Sequence, residues 1–225
     1  MIGIFAGSGT LPKEILFFLN KNKKKYIVLN LSKKKIKDSI HVHLGQFGKI
    51  LNILKKNKVK KVIFAGYVKR PNLSRLKFDL KAISYIPKLI SVFRKGDGNI
   101  LNFATQILKK NNIKVIDSHT YCKHLLVDKT VTKSKPSSED IKDFSKGRKI
   151  LDVLSKFDIA QGILIDNGYV VAIEAAEGTD EMLKRVAKIK SKNISKSGVL
   201  IKLPKKKQNL SYDLPTIGLK TVQLC

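Results

Sequence analysis

Short apolar runs alternate with amphipathic segments along the first half of the chain. Strand-like runs lie at residues 2–5, 26–31, 61–65 and 113–117. Helical spacing of apolar positions covers about 12–20, 47–57, 79–94 and 99–110, and Pro12 suits the first turn of the first helix. Strands separated by helices need crossover connections, so the pattern predicts a parallel sheet. Ligands of such sheets bind beyond the carboxyl ends of the strands.

The second half has a different pattern. Residues 128–140 are rich in Lys, Ser, Thr, Pro and acids, and a helix is predicted from Ser138 to about Lys156. Strands are predicted at 162–165 and 169–174, joined by the hairpin signal Asp166-Asn167-Gly168. A helix follows to about Arg185, and further strands are predicted at 199–203 and 219–224.

These patterns predict an α/β protein of two domains. We expect an N-terminal Rossmann-like parallel-sheet domain at 1–130, a linker at 131–140 and a C-terminal α+β domain at 141–225.

The net charge of +29 invites a nucleic-acid interpretation. Only five of the 46 basic residues are Arg, however, and the lysines are scattered with Asn and without interleaved aromatic residues. Bidentate base contacts favour Arg and base stacking needs aromatic rings, so we expect no nucleic-acid partner. The charge would still favour anionic substrates and anionic lipid surfaces.

Several remaining features bear on location and metal chemistry. No apolar run approaches the roughly 20 residues that span a bilayer, and the N-terminal residues read as a strand rather than a signal peptide, so we expect a cytoplasmic protein. The two cysteines and four histidines show no metal-ligand spacing.

Acidic residues gather at one predicted strand-to-helix junction. Glu174, Glu177 and Asp180 lie there together with the hydroxyl of Thr179, in a chain that is poor in acids. Asp213 precedes Leu-Pro-Thr-Ile-Gly near the C-terminus. Carboxylate oxygens suit Mg²⁺, which often bridges to substrate phosphates. The ordinary alternative is that Asp180 charges the first turn of a helix.

Glycine-rich turns are the other candidates. The turn at 7–9 follows the first strand and is either a plain βα turn or a place where backbone amides approach a phosphate. The segment 45–49 is either a flexible helix entry or a binding loop, and it does not match a Walker A loop. Arg70 lies just past a strand end, where ligands bind.

Seven segments, taken in order, resemble one family. They read IFAGSGTLP from Ile4, GQFGKI from Gly45, FAGYVKRP from Phe64, RKGD from Arg94, DIAQG from Asp158, VAIEAAEGTD from Val171 and DLPTIG from Asp213. The set resembles the UDP-2,3-diacylglucosamine pyrophosphatase family of lipid A biosynthesis, in the form found in many alphaproteobacteria. Gln46 stands where that family often has Glu, and Ser211 where we expect Arg. Family members usually extend several dozen residues beyond the position of Cys225.

The resemblance implies two halves that clasp a UDP-sugar lipid and hydrolyse its diphosphate with a divalent cation, Mg²⁺. The products would be UMP and 2,3-diacylglucosamine 1-phosphate. Asp213 matches the family's essential aspartate, and we expect it to act as a catalytic and metal-binding residue, with Glu174, Glu177 and Asp180 as further metal ligands. The residues expected to bind substrate are Gly7, Ser8, Gly9, Gly48, Lys49, Arg70, Lys95, Gln161, Gly178, Thr179, Lys202 and Thr216.

The resemblance also implies a lipid-linked nucleotide-sugar as partner and peripheral association with the inner membrane; a homodimer is compatible with the sequence. Two other functions are kept open. One is a hydrolase or transferase acting on another nucleotide-sugar, and the other is a non-enzymatic basic protein that binds membrane surfaces.

Overall fold

The structure, a computed structural model, describes residues 1–69, 72–94, 97–127, 132–190, 197–206, 208–210 and 213–225. The chain divides into two compact units, Met1–Asp128 and Lys129–Cys225. Within the described residues, none of the helices has the length and apolar composition needed to span a bilayer.

The first unit is built on the predicted parallel sheet. Its strands are β1 (Ile2–Ala6), β2 (Tyr26–Asn30), β3 (Ser39–His41), β4 (Lys61–Ala65) and β5 (Lys114–Val115). They are ordered β3-β2-β1-β4-β5, and every pair is parallel. The Rossmann-like prediction is therefore confirmed, since the chain starts in the middle of the sheet and winds outwards in both directions.

Helices join these strands: α1 (Leu11–Lys21), α2 (Phe47–Lys56), α3 (Leu80–Ile83), α4 (Ile86–Phe93) and α5 (Asp97–Lys110). The helix predicted over 79–94 is in fact the two helices α3 and α4. Pro87 explains the break, because proline lacks the N–H that a continuing helix would need and instead occupies the first turn of α4. The strand predicted at 113–117 pairs only over Lys114–Val115.

Alternate residues of each strand pack on opposite faces of the sheet. Phe5 and Val62 belong to a cluster on one face, and Ile4 and Ile63 belong to a cluster on the other. Successive strand side chains point in opposite directions, so both faces are apolar and both are covered.

The second unit has the predicted α+β composition. Its elements are α6 (Ser138–Leu154), β6 (Gly162–Asp166), β7 (Tyr169–Ile173), α7 (Thr179–Lys190), β8 (Val199–Lys202) and α8 (Leu219–Leu224). The strands form an antiparallel sheet in the order β7-β6-β8. Asn167 and Gly168 have φ of 48° and 79°, the conformation that makes Asn-Gly a tight hairpin turn.

A capping box starts α6. The Ser137 hydroxyl accepts a hydrogen bond from the Asp140 amide, and the Asp140 carboxylate accepts one from the Ser137 amide. Two otherwise unpaired donors are satisfied, which fixes the start of α6 at the predicted residue Ser138.

The strand predicted at 219–224 is wrong, because these residues form helix α8. Leu224 packs against the cluster that holds Met182 and Leu183 of α7. The Thr221 hydroxyl donates to Asp180 Oδ1 at 2.7 Å and Lys220 Nζ lies 3.3 Å from Asp180 Oδ2, so both polar and apolar contacts hold α8 on α7. A run of six mixed residues has too few periods to distinguish a helix from a strand, and tertiary packing decides.

Candidate functional site

The two glycine turns of the first unit are bonded to each other. They follow β1 and β4, and the amides of Gly7 and Ser8 donate to the carbonyls of Ala65 and Tyr67 at 2.8 and 2.7 Å. The Tyr67 amide donates back to Ser8 O at 2.8 Å. The Gly7 and Ser8 amides, predicted to face a phosphate, are therefore already engaged at this edge of the sheet.

Close backbone approach explains why glycine occupies this place. A Cβ on Gly7 would lie 2.5 Å from the Tyr67 carbonyl oxygen, and Gly66, at φ 82°, lies directly against the Ser8 carbonyl. A Cβ on Gly9, at φ 101°, would meet no atom within 4 Å. Backbone contacts therefore hold this turn in place at the start of α1. Within the turn, Gly9 is the predicted substrate residue with open space next to it.

The segment 45–49 packs against residues 77–79, which lead into α3. A Cβ on Gly45 would lie 2.5 Å from the Lys77 carbonyl oxygen, and one on Gly48 would lie 3.1 Å from Asp79 Oδ2. The Asp79 carboxylate accepts from the amides of Lys49 and Ala82 at 3.0 and 2.9 Å. Gly48 and the exposed Lys49 thus line an open groove between α2 and α3. Arg70 and Lys95, also predicted to bind substrate, lie outside the described residues.

In the second unit, β7 ends in a carboxylate that folds back over the sheet. The Glu174 amide donates to Gly162 O at 2.9 Å, and the Glu174 carboxylate lies directly against the Cα of Gly162, where any side chain would collide with it. The Glu174 carboxylate accepts from Thr179 Oγ1 at 2.9 Å and from Lys202 Nζ at 3.4 Å. Lys202 Nζ also donates to Thr179 Oγ1 at 2.5 Å.

We call Glu174, Thr179 and Lys202 the β7–α7 cluster. The side chains of Glu174 and Lys202 are only 13 % and 14 % exposed, so this pair is far better shielded than a surface ion pair. Thr179 is the first residue of α7, and Gly178 before it has φ 82°, which makes the tight entry into the helix. A cation, a hydroxyl and a helix N-terminus meet here, all three favour an anion, and the Glu174 carboxylate is the anion that they contact.

The other two acids predicted as metal ligands are also paired. Glu177 accepts from Arg185 Nη2 at 2.8 Å, and a hydrogen bond from its own backbone amide together with Arg185 lowers the pKa of the Glu177 carboxyl. Asp180 accepts from the Thr221 hydroxyl and lies 3.3 Å from Lys220 Nζ. Each of the three acids is thus paired with a different cation, although they are close together in sequence.

Asp213 belongs to a chain of amide contacts. Its amide donates to Asn209 O at 3.1 Å, and its carbonyl accepts from Gln208 Nε2 at 2.5 Å. Gln208 Oε1 in turn accepts from Gln161 Nε2 at 2.6 Å and from the Lys205 amide at 2.8 Å. Gln161, predicted to bind substrate, is therefore connected through Gln208 to the backbone of Asp213.

Sequence reasoning missed Gln208 and Lys205. Lys205 Nζ donates to the Asp158 carboxylate at 2.7 Å and to the Asp158 carbonyl at 2.9 Å, across 47 positions. Nothing in the pattern of the polar segment after β8 indicates either contact. Thr216, another predicted substrate residue, donates locally to Leu214 O at 2.9 Å.

We tested whether the acids present suit a metal ion. Among the described residues, no three His, Cys, Asp or Glu side chains lie together in an arrangement that could hold one. A site made only of protein carboxylates is therefore not preformed in this part of the chain. Mg²⁺ commonly binds only one or two carboxylates, together with substrate phosphates and water.

The comparisons with known proteins cover almost the whole chain. Residues 1–125 match the LpxI N-terminal domain and residues 128–225 match the LpxI C-terminal domain. The chain is also 32% identical, over 233 aligned positions, to the UDP-2,3-diacylglucosamine pyrophosphatase LpxI of Caulobacter vibrioides. That alignment covers 98% of this chain and 82% of the Caulobacter protein. Two matching domains in the same order and this identity show that the chain belongs to the LpxI family.

Proposed function

We propose that this protein hydrolyses the diphosphate of UDP-2,3-diacylglucosamine. Water attacks one phosphorus of the diphosphate, the bond between that phosphorus and the bridging oxygen breaks, and UMP and 2,3-diacylglucosamine 1-phosphate are released. The observation that carries the proposal is the match along nearly the whole chain to a protein named for this substrate and reaction. The resemblance found in the sequence led to the same family.

The β7–α7 cluster supports the proposal chemically. The Lys202 ammonium is held by Glu174 and Thr179, so the cation is positioned before any substrate arrives. A positioned cation at a helix N-terminus stabilises the charge that builds up on phosphate oxygens during hydrolysis, and it needs little reorganisation to do so. Lys202 and Thr179 are the described residues that we assign to phosphate binding in this unit.

Asp213 is the residue to which we assign the catalytic role. It would bind the divalent cation, proposed to be Mg²⁺, or orient the attacking water. Bound Mg²⁺ would neutralise diphosphate oxygens and stabilise the leaving phosphate. The contacts from Gln208 and Asn209 fix the backbone of Asp213, which limits the positions open to its carboxylate.

Membrane association and a homodimer remain parts of the proposal. The substrate carries two acyl chains and therefore resides at a membrane, and the net charge of +29 favours an anionic surface. We propose peripheral binding to the cytoplasmic face of the inner membrane.

The decisive experiment measures UMP release from UDP-2,3-diacylglucosamine in detergent, with Mg²⁺ and with EDTA. We expect Mg²⁺-dependent release by the wild type and at least a hundredfold slower release by Asp213→Ala, in the range seen when a catalytic group is removed. Glu181→Ala is the matched control, because Glu181 is a half-exposed acid of the same unit, paired only with Lys184 among the described contacts. Full activity of Asp213→Ala would contradict the catalytic assignment. Cleavage of soluble UDP-sugars at the same rate would instead favour the hydrolase of another nucleotide-sugar.

A further inference from the structure

An open groove of about 820 Å³ lies between α2 and the segment that carries α3. Its apolar lining comes from Ile53, Phe78, Leu80 and Ile83, and its lysines are Lys49, Lys56 and Lys81. We call these residues the α2–α3 groove. Leu80 is 89% exposed and Ile83 is 52% exposed.

Two of the apolar side chains of this groove lie on one face of a capped helical turn. Leu80 and Ile83 are three residues apart on α3, so they lie on the same side of one helical turn. The Asp79 carboxylate caps α3 through the Ala82 amide and also accepts from the Lys49 amide at the start of α2. Exposure of Leu80 is therefore a property of an ordered, capped turn.

Positive charges outnumber negative ones around the groove. Three lysines line it, and the single acid of its lining, Asp79, already accepts two backbone amides. Lysine side chains can lay their aliphatic stems along an apolar surface and keep the ammonium at the level of lipid headgroups. Exposed leucine and isoleucine flanked by lysines is the composition of segments that lie in a membrane interface.

We infer that the α2–α3 groove is the surface on which this protein docks on an anionic lipid bilayer. Leu80 and Ile83 enter the boundary between headgroups and acyl chains, and Lys56 and Lys81 contact anionic headgroups. The inference rests on the proposed function, because an enzyme that acts on a diacylated substrate has to meet it where it resides.

Vesicle sedimentation tests the surface directly. We expect the wild type to bind vesicles of phosphatidylglycerol and phosphatidylcholine, and to bind pure phosphatidylcholine much more weakly. The double variant Leu80→Asp/Ile83→Asp should lose at least tenfold in affinity. Lys56→Gln and Lys81→Gln should each lose about fivefold, since one lysine near such a surface contributes about 1 kcal/mol.

Matched controls separate this surface from the general basicity of the chain. Phe17→Asp changes another exposed apolar side chain of the first unit, 68% exposed on α1, and Lys24→Gln and Lys110→Gln change exposed lysines elsewhere. These variants should bind vesicles within about twofold of the wild type. Equal losses in the controls, or unchanged binding by Leu80→Asp/Ile83→Asp, would overturn the inference.

UMP release in detergent micelles, where docking on a bilayer is not needed, distinguishes the two proposals. Normal release by Leu80→Asp/Ile83→Asp with weakened vesicle binding supports the docking surface. Lost release with normal vesicle binding would mean that the groove takes the acyl chains of one substrate molecule, which overturns bilayer docking. Absence of release by the wild type contradicts the proposed function alone, whatever the vesicles show.

Discussion

Replacing Lys202 by Met should destabilise the second unit much more than the same change at Lys184. The geometry alone suggests the opposite order, because Lys184 Nζ lies 2.7 Å from Glu181 and Lys202 Nζ lies 3.4 Å from Glu174. Burial reverses it. The Lys184 and Glu181 side chains are 46% and 54% exposed, whereas those of Lys202 and Glu174 are 14% and 13% exposed.

The magnitudes follow from what each substitution leaves behind. An exposed ion pair contributes about 0.2–1 kcal/mol, so we expect Lys184→Met to cost less than about 0.5 kcal/mol. Removing one partner of a buried pair costs about 3–5 kcal/mol, because the remaining charge is desolvated. Glu174 keeps some access to water and the hydrogen bond from Thr179, so we expect Lys202→Met to cost about 2–3 kcal/mol.

Urea unfolding followed by circular dichroism measures both costs. Hydrogen exchange of peptides from β6 and β8 would assign the loss to the second unit. Adding Glu174→Gln to Lys202→Met should recover part of the stability, because the unpaired charge is then gone. Equal costs at Lys184 and Lys202, or no recovery in the double variant, would refute the argument from burial.

Three further predictions concern the same unit. Gly147→Ala should cost about 1 kcal/mol in urea unfolding, because the new Cβ would lie 2.7 Å from the Ile201 Cδ1 methyl and 3.1 Å from methyls of Ile163 and Ile165, while the better helix propensity of Ala, about 1 kcal/mol, offsets part of the overpacking; a raised midpoint would contradict this packing. Thr221 lowers the pKa of Asp180, so the stability that Asp180 adds is present above the usual aspartate value of about 3.9 and is lost as pH falls through the lowered pKa. The difference in stability between wild type and Asp180→Asn should therefore shrink from pH 6 to about pH 3, and a constant difference would be inconsistent with this. Gln208→Ala should slow UMP release about tenfold or more with little change in KM, because it releases the backbone of Asp213, and a normal rate would exclude this positioning role.

The sheet of the first unit could be predicted from sequence because its constraint is local and repeated. Each apolar run is followed by a helical one, and only parallel pairing accommodates that alternation. The hairpin at Asn167-Gly168 is predictable for a similar reason, since two adjacent residues fix the turn. By contrast, the helix α8 depends on a contact between Thr221 and Asp180, 41 positions apart.

The glycine patterns in the sequence indicate where the backbone is closely approached, but they do not indicate which group approaches it. The sequence marks the turns at Gly7 and Gly45 as candidate binding turns. In both, the structure brings a backbone carbonyl oxygen to 2.5 Å from the position of a Cβ. The second backbone comes from a segment more than 30 positions away, so a single turn gives no indication of it. A ligand phosphate and a neighbouring carbonyl impose the same requirement for a missing side chain, and sequence alone does not distinguish them.

The acidic residues show most clearly that closeness in sequence does not determine which side chains pair in the structure. Lys and Arg outnumber Asp and Glu by 46 to 17, so a carboxylate in this chain readily finds a cation. Glu174 pairs with Lys202, Glu177 with Arg185 and Asp180 with Lys220. A metal shell built from all three would have to displace these three cations. We therefore propose that a divalent cation would be held mainly by the oxygens of the diphosphate and by water rather than by these three acids together.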